Sequence, residues 1–281
     1  YAFFIPLFWY LLIRWHEASK KLWWTLLLLL TALVGGFTSA YYAAFLSIFP
    51  MAIFLVQLWN HRLNLKGYMA EGIHLLLIAI LPLLIVRGLV GITDWVDDRP
   101  DNPWGFFIFH SNLFSIFLPP GSTLPELTRG IIDMSYKWEG RAYVGLPATL
   151  LTLSFLLTLV LQLAGRKRPA AKSYFPNRKL NLYLAASVIV LIFSMCIPFK
   201  WGLGFLTEIL PPLKQFRCLG RFSWIFYYVS TVFTATYLYY LYRIARKKGY
   251  GKPAMALLII ILSFWGVEAA SRMQSSTKRI F

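Results

Sequence analysis

Lys214, Arg217 and Arg221 lie close together, immediately before an uncharged run at residues 222–242. Pro211 and Pro212 can open a helix but not sit inside one. On a helix beginning there, the three cations fall at i, i+3 and i+7 and share one face. Arginine presents a planar fork that grips phosphate or carboxylate in a bidentate manner. The chemistry implied is the holding of an anion. The plain alternative is anchoring, with long side chains snorkelling to a membrane surface.

Two further groups of residues could do chemistry. Asp94, Asp97, Asp98 and Asp101 crowd one short segment, and Asp97-Asp98 opens a DDxxD spelling. Carboxylates of this kind hold a divalent cation such as magnesium on diphosphates. Pro100 keeps Asp98 and Asp101 from stacking on one helical turn, so a solvated turn is the competing reading and no metal is assigned. Glu139, Arg141 and Tyr143 place an acid, a base and a phenol beside Gly140 and Gly145 at the head of another apolar run. Glycines there permit close backbone approach, as a ligand site needs. The acid and base can equally pair with each other. Cys196 and Cys218 are the two cysteines. They fit either a disulfide in an oxidising compartment or two buried apolar thiols. No Cys/His spacing matches a zinc site.

The elements that must position these residues are membrane helices. The chain of 281 residues is 58% hydrophobic and 14% charged. A hydrocarbon core of about 30 Å takes about 20 helical residues to cross. Uncharged stretches at 40–59, 143–164, 180–199 and 222–242 suit that length. Those at 22–37, 73–86 and 253–267 are shorter, and residues 1–13 read as the back of a span. The expectation is an all-α bundle of about eight spans, the first incomplete, forming a single integral-membrane domain over residues 1–281. The start at Tyr1, inside apolar sequence, points to a fragment, with spans before it and a soluble domain after Phe281 both open. Helices are required because lipid cannot satisfy free backbone groups. No alternating ten-residue strands of a barrel are present.

Charge gives the orientation. The connections at 14–21, 61–66, 166–179 and 243–252 hold 16 of the 28 lysines and arginines, and they alternate with the other connections. The positive-inside rule makes their side cytoplasmic. The opposite side then carries Asp94, Asp97, Asp98, Asp101, Glu126, Asp133, Glu139 and Glu208, together with Lys214, Arg217 and Arg221. Anchoring against anionic lipid explains most of the formal charge of +17, and nucleic acid is excluded as a partner. It does not explain cations on the disfavoured side. The long outer connection at 91–141 contains a largely apolar run, 104–118, suited to a re-entrant floor or an interfacial lid. Aromatic residues are 18% of the chain. They read as an interfacial belt or as the lining of a groove.

Residues 214–224 (KQFRCLGRFSW) resemble an FRxxGRFxW signature in bacterial multispan membrane proteins that look like GT-C-fold glycosyltransferases. Three stretches agree in order: 38–44 with Tyr42, 105–119 with Ser111 and Asn112, and 138–146 with Glu139 and Tyr143. The resemblance implies a transferase in the bacterial inner membrane with its working loops outside the cytoplasm. It would take a sugar from a polyprenyl-phosphate donor and pass it to a glycan, lipid or protein acceptor. Arg217 and Arg221, with Lys214, would hold the carrier phosphate. Tyr42, Ser111, Asn112, Glu139 and Tyr143 would meet the sugar or acceptor. The catalytic base would precede Tyr1. Cys218 stands where the family often has a small residue, which bears on helix packing rather than on the phosphate role. The alternatives are a non-catalytic handler or transporter component for lipid-linked glycans, and a structural membrane protein. Transport would need charged or polar groups in mid-span, and the spans between residues 143 and 242 hold no ionisable group except tyrosines and a cysteine.

Overall fold

The computed structural model describes residues 3–60, 65–93, 95, 104–119, 140–163 and 178–277. Among them every regular element is helical. The long helices are α1 (Phe4–Glu17), α2 (Lys21–Thr38), α3 (Ala40–Asn60) and α4 (Leu65–Thr93). After the short α5 (Leu113–Phe117) come α6 (Leu146–Leu163) and α7 (Arg178–Ser194). Two single-turn helices, α8 (Ile197–Lys200) and α9 (Leu206–Ile209), lead to α10 (Ser223–Lys247) and α11 (Gly251–Thr277). Among the described residues, four helical segments are long and apolar enough to cross a membrane: Lys21–Thr38, Ala40–Trp59, Met69–Thr93 and Gly251–Ser271. Each apolar run read as a span has most of its length on one of the eight long helices, and α4 and α11 extend well past their uncharged cores. The run at 180–199 is cut short. Cys196 adopts a left-handed φ of 61° and Pro198 opens α8, so the chain turns at the end of α7.

Helix α3 sits at the centre, packed by α1, α2, α4 and α7, while α10 packs on α7 and α6. Their seams are filled by Phe8, Phe45, Phe49, Ile53, Phe222 and Phe226, each 1% exposed or less except Phe222. Helix α11 packs mainly on α10, with a smaller contact to α6, and its apolar window has no buried residue. Its exposed Leu257, Ile260 and Phe264 suit a helix whose solvent is lipid.

Polar contacts define the two ends of the bundle. At one end Lys21 Nζ donates to Glu71 Oε1 at 2.7 Å. Trp15 Nε1 donates to Thr25 Oγ1 at 3.0 Å. The Tyr183 hydroxyl lies 2.8 Å from His16 Nδ1, and Gln57 reaches the same imidazole at 3.2 Å. This gathers the ends of α1 and α3 with the starts of α2, α4 and α7. Phe222, just before α10, stacks edge-on against Phe193 near the far end of α7 at 5.0 Å. Helix α10 therefore runs back toward the lysine-rich end. The heads of α3, α6 and α10 lie at the opposite end.

The apolar run at 104–118 is neither one re-entrant helix nor a lid. It turns through 104–108, becomes extended, and forms α5, capped by Asn112. Phe106 and Ile116 are 2% and 0% exposed. Phe106 meets Phe199 edge-on at 5.1 Å and Phe117 meets Phe226 at 5.9 Å. The segment is a plug set into the end of the bundle.

Candidate functional site

The stretch preceding α10 is not the continuous helix that the proline pair predicts. A 3-10 turn covers Pro211–Gln215, the chain extends through Phe216 to Cys218, and a second 3-10 turn covers Leu219–Phe222. The reason is that tertiary partners claim the backbone. The Cys218 amide donates to the Tyr41 hydroxyl at 2.8 Å, and the Gly220 amide donates to the Phe109 carbonyl at 2.9 Å. Lys214, Arg217 and Arg221 therefore share no helical face. Arg221 is half-buried, with its guanidinium 5.0 Å from the centre of the Tyr41 ring. Arg217 is exposed and Lys214 is half-buried on the earlier turn.

Glycines bring the plug and the segment before α6 onto this turn. A Cβ on Gly220 would strike the Cα of Gly140, and a Cβ on Gly140 would lie 2.8 Å from the His110 carbonyl oxygen. Gly105, at φ +120°, packs under the Arg217 carbonyl, where a Cβ would sit 2.9 Å away. The Ser111 amide donates to the Ser194 carbonyl at 3.0 Å. Ser223 Oγ closes the turn by donating to the Gly220 carbonyl at 2.6 Å. Three of the four stretches singled out in the sequence thus meet at one knot, and Tyr41 and Tyr42 at the head of α3 bring in the fourth.

Two predicted ligand contacts prove to be internal. Ser111 is 1% exposed and its hydroxyl pairs with that of Ser194 at 2.5 Å. Asn112 Oδ1 accepts the Ser115 amide at 2.8 Å as the cap of α5. Both serve folding, because a chain turning inside the bundle must satisfy its own polar groups. Glu139, Asp97 and Asp98 lie outside the described residues. Among the described residues no three His, Cys, Asp or Glu side chains gather into a metal site. Cys196 and Cys218 form no disulfide, and both are buried.

Tyr143 has a partner that the sequence does not suggest. Its hydroxyl donates to Glu268 Oε1 at 2.7 Å, and Glu268 Oε2 accepts the Leu146 amide at 3.0 Å. Trp265 Nε1 adds a bond to the Val144 carbonyl at 3.2 Å. Gly145, at φ +89°, lies directly beneath Trp265. Glu268 is a lone acid beyond an apolar run, and that isolation is the signal by which it could be found. Nearby, Lys200 Nζ donates to His110 Nε2 at 2.7 Å, while the other ring nitrogen of His110 faces the Ser111 carbonyl at 2.9 Å.

The knot therefore presents Lys200 and Arg217 outward, with Arg221 half-buried against the Tyr41 ring. Such an arrangement can hold an anion between guanidinium forks and phenols. No curated protein matches the chain at a significant level, and no solved structure does. A family profile covers residues 2–267, nearly the whole chain, and by that match the protein belongs to the family described as Domain of unknown function (DUF6311).

Proposed function

We propose that this is a GT-C-like membrane glycosyltransferase that draws on a polyprenyl-phosphate-linked sugar. In this reading the eight long helices span the cytoplasmic membrane of a bacterium, with the lysine-rich end in the cytoplasm and the knot outside. The observation that carries the reading is the placement of Arg221. A guanidinium half-buried against Tyr41, at the end of the bundle opposite the basic anchors, is poorly explained as a headgroup anchor. It is well placed for a phosphate whose chain stays in lipid. As the sugar leaves, negative charge grows on that phosphate, and fixed cations at Arg221 and Arg217 stabilise it in a site of low dielectric. A glycan, lipid or protein would accept the sugar.

A second reading, a non-catalytic handler of lipid-linked glycans, is favoured by one observation. Both oxygens of Glu268 accept bonds from Tyr143 and Leu146, so this carboxylate is engaged in holding the fold rather than poised as a base. Exposed Glu208, on α9, is the other described acid at this end.

Arg221→Ala tests the phosphate role. The expected result is glycan product reduced at least about tenfold, given what a charged hydrogen bond contributes, with the protein inserting and accumulating normally. Unchanged product would refute the role. Proteoliposomes separate the two readings: the transferase releases free polyprenyl phosphate when acceptor is added, and the handler does not.

A further inference from the structure

The left-handed turn at Cys196 brings Lys200 onto the plug. Phe199, 7% exposed, meets Phe106 edge-on at 5.1 Å and Phe193 at 5.7 Å. These rings fix α8, and exposed Lys200 is its last residue. On the plug, Ser111 is tied to Ser194 through its amide and through its hydroxyl. His110 is thus held from one side and Lys200 from the other. Their side chains meet at 2.7 Å.

That contact fixes the state of the imidazole. A lysine ammonium only donates, so His110 Nε2 is the accepting nitrogen. A carbonyl only accepts, so Nδ1, 2.9 Å from the Ser111 carbonyl, carries the proton. His110 is a neutral imidazole whose basic nitrogen is covered by an exposed ammonium. The backbone sets it beside the arginines. The Phe109 carbonyl accepts the Gly220 amide at 2.9 Å, so His110 and Arg221 each stand one residue from that bond. The His110 carbonyl lies against Gly140 in the same knot. Glu268 has both oxygens engaged, and Glu208 is exposed on α9.

Resting on the carrier reading above, we infer that His110 is the base that takes the proton of the acceptor hydroxyl, and that Lys200 covers it until the carrier phosphate arrives. An anionic oxygen accepts more strongly than a neutral imidazole nitrogen, so a phosphate at Arg217 and Arg221 draws the ammonium to itself and frees Nε2. The hydroxyl proton then passes to Nε2. The acceptor oxygen bonds to the anomeric carbon as that carbon's bond to the phosphate oxygen breaks. The electron pair of the broken bond stays on the phosphate beside the arginines, and the imidazolium returns its proton to water. A base covered in this way is not available before the donor is bound.

The test uses diethyl pyrocarbonate, which attacks an unprotonated imidazole nitrogen, on the full chain in detergent. Modification is read at His110 by peptide mass spectrometry. Lys200→Met removes the ammonium, and His110 should then react at least about threefold faster. Farnesyl phosphate should give the same acceleration in wild type and none beyond it in Lys200→Met, while farnesol should give none in either. If farnesyl phosphate binds by native mass spectrometry but His110 reacts no faster, the release is wrong and the carrier reading stands. If farnesyl phosphate does not bind, both fall. His110→Gln should bind farnesyl phosphate like wild type and lose glycan product about a hundredfold. Undiminished product would overturn the base role with the carrier reading intact. Weakened binding would overturn it too, since His110 would then be holding the anion or the fold.

Discussion

At the scale of single residues, the knot depends on atoms that are missing. Gly220 and Gly140 touch backbone to backbone, and a Cβ on Gly220 would also lie 3.2 Å from the Ser111 amide nitrogen. No flexible side chain is there to yield. Gly220→Ala is therefore expected to destabilise the protein by about 1–3 kcal/mol, the usual cost of overpacking, read as a lowered midpoint of thermal unfolding in detergent. Gly88 lies inside α4, where a Cβ would meet nothing within 4 Å. Gly88→Ala should be neutral or stabilising by about 0.5–1 kcal/mol, since glycine is a poor helix residue. Equal losses in both variants would remove the special role of Gly220. The sequence displays Gly140 and Gly220 as motif letters, because a motif keeps its spacing on the page. It does not display what they approach, because that contact joins segments far apart in the chain. The cations fared similarly. Their clustering is legible, but the helix expected of them is not formed, since Tyr41 and Phe109 bind amides that a helix would have turned inward.

At the scale of elements, the helices were legible because lipid demands long apolar runs with internally satisfied backbones. Their ends were less so. The run at 180–199 reads as unbroken, yet the left-handed Cys196 turns it. Helix α11 shows the limit best. Its apolar letters announce a span, but nothing in them announces how it is held. Having little packing area, it is fastened by Glu268 and Trp265 to the segment before α6. Glu268→Ala removes the acceptor of the Tyr143 hydroxyl, in a residue only 8% exposed. We expect a loss of about 1–3 kcal/mol, measured by thermal unfolding. Tyr143→Phe made on the Glu268→Ala background should then add little, since the two residues share one interaction. Additive losses would show that Glu268 and Tyr143 act separately.

At the scale of the whole molecule, the orientation decides whether the carrier reading can hold. Charge alternation places the loops around residues 14–21 and 243–252 on one side and the knot on the other, and the packing of α7 against α10 supports that pairing of ends. Native thiols cannot report on it, because Cys196 and Cys218 are 0% and 2% exposed and would stay silent from either side. Exposed positions can. Trp201, beside the knot, is 82% exposed, and Tyr250, between α10 and α11, is 64% exposed. In intact cells a membrane-impermeant thiol reagent should label Trp201→Cys directly and label Tyr250→Cys only after permeabilisation. The opposite pattern would put Arg217 and Arg221 in the cytoplasm. There the positive-inside rule alone explains them, and the argument for a phosphate carrier loses its footing. Labelling at both sites in intact cells would mean that the two ends are not separated by a bilayer, and the spanning arrangement itself would be wrong.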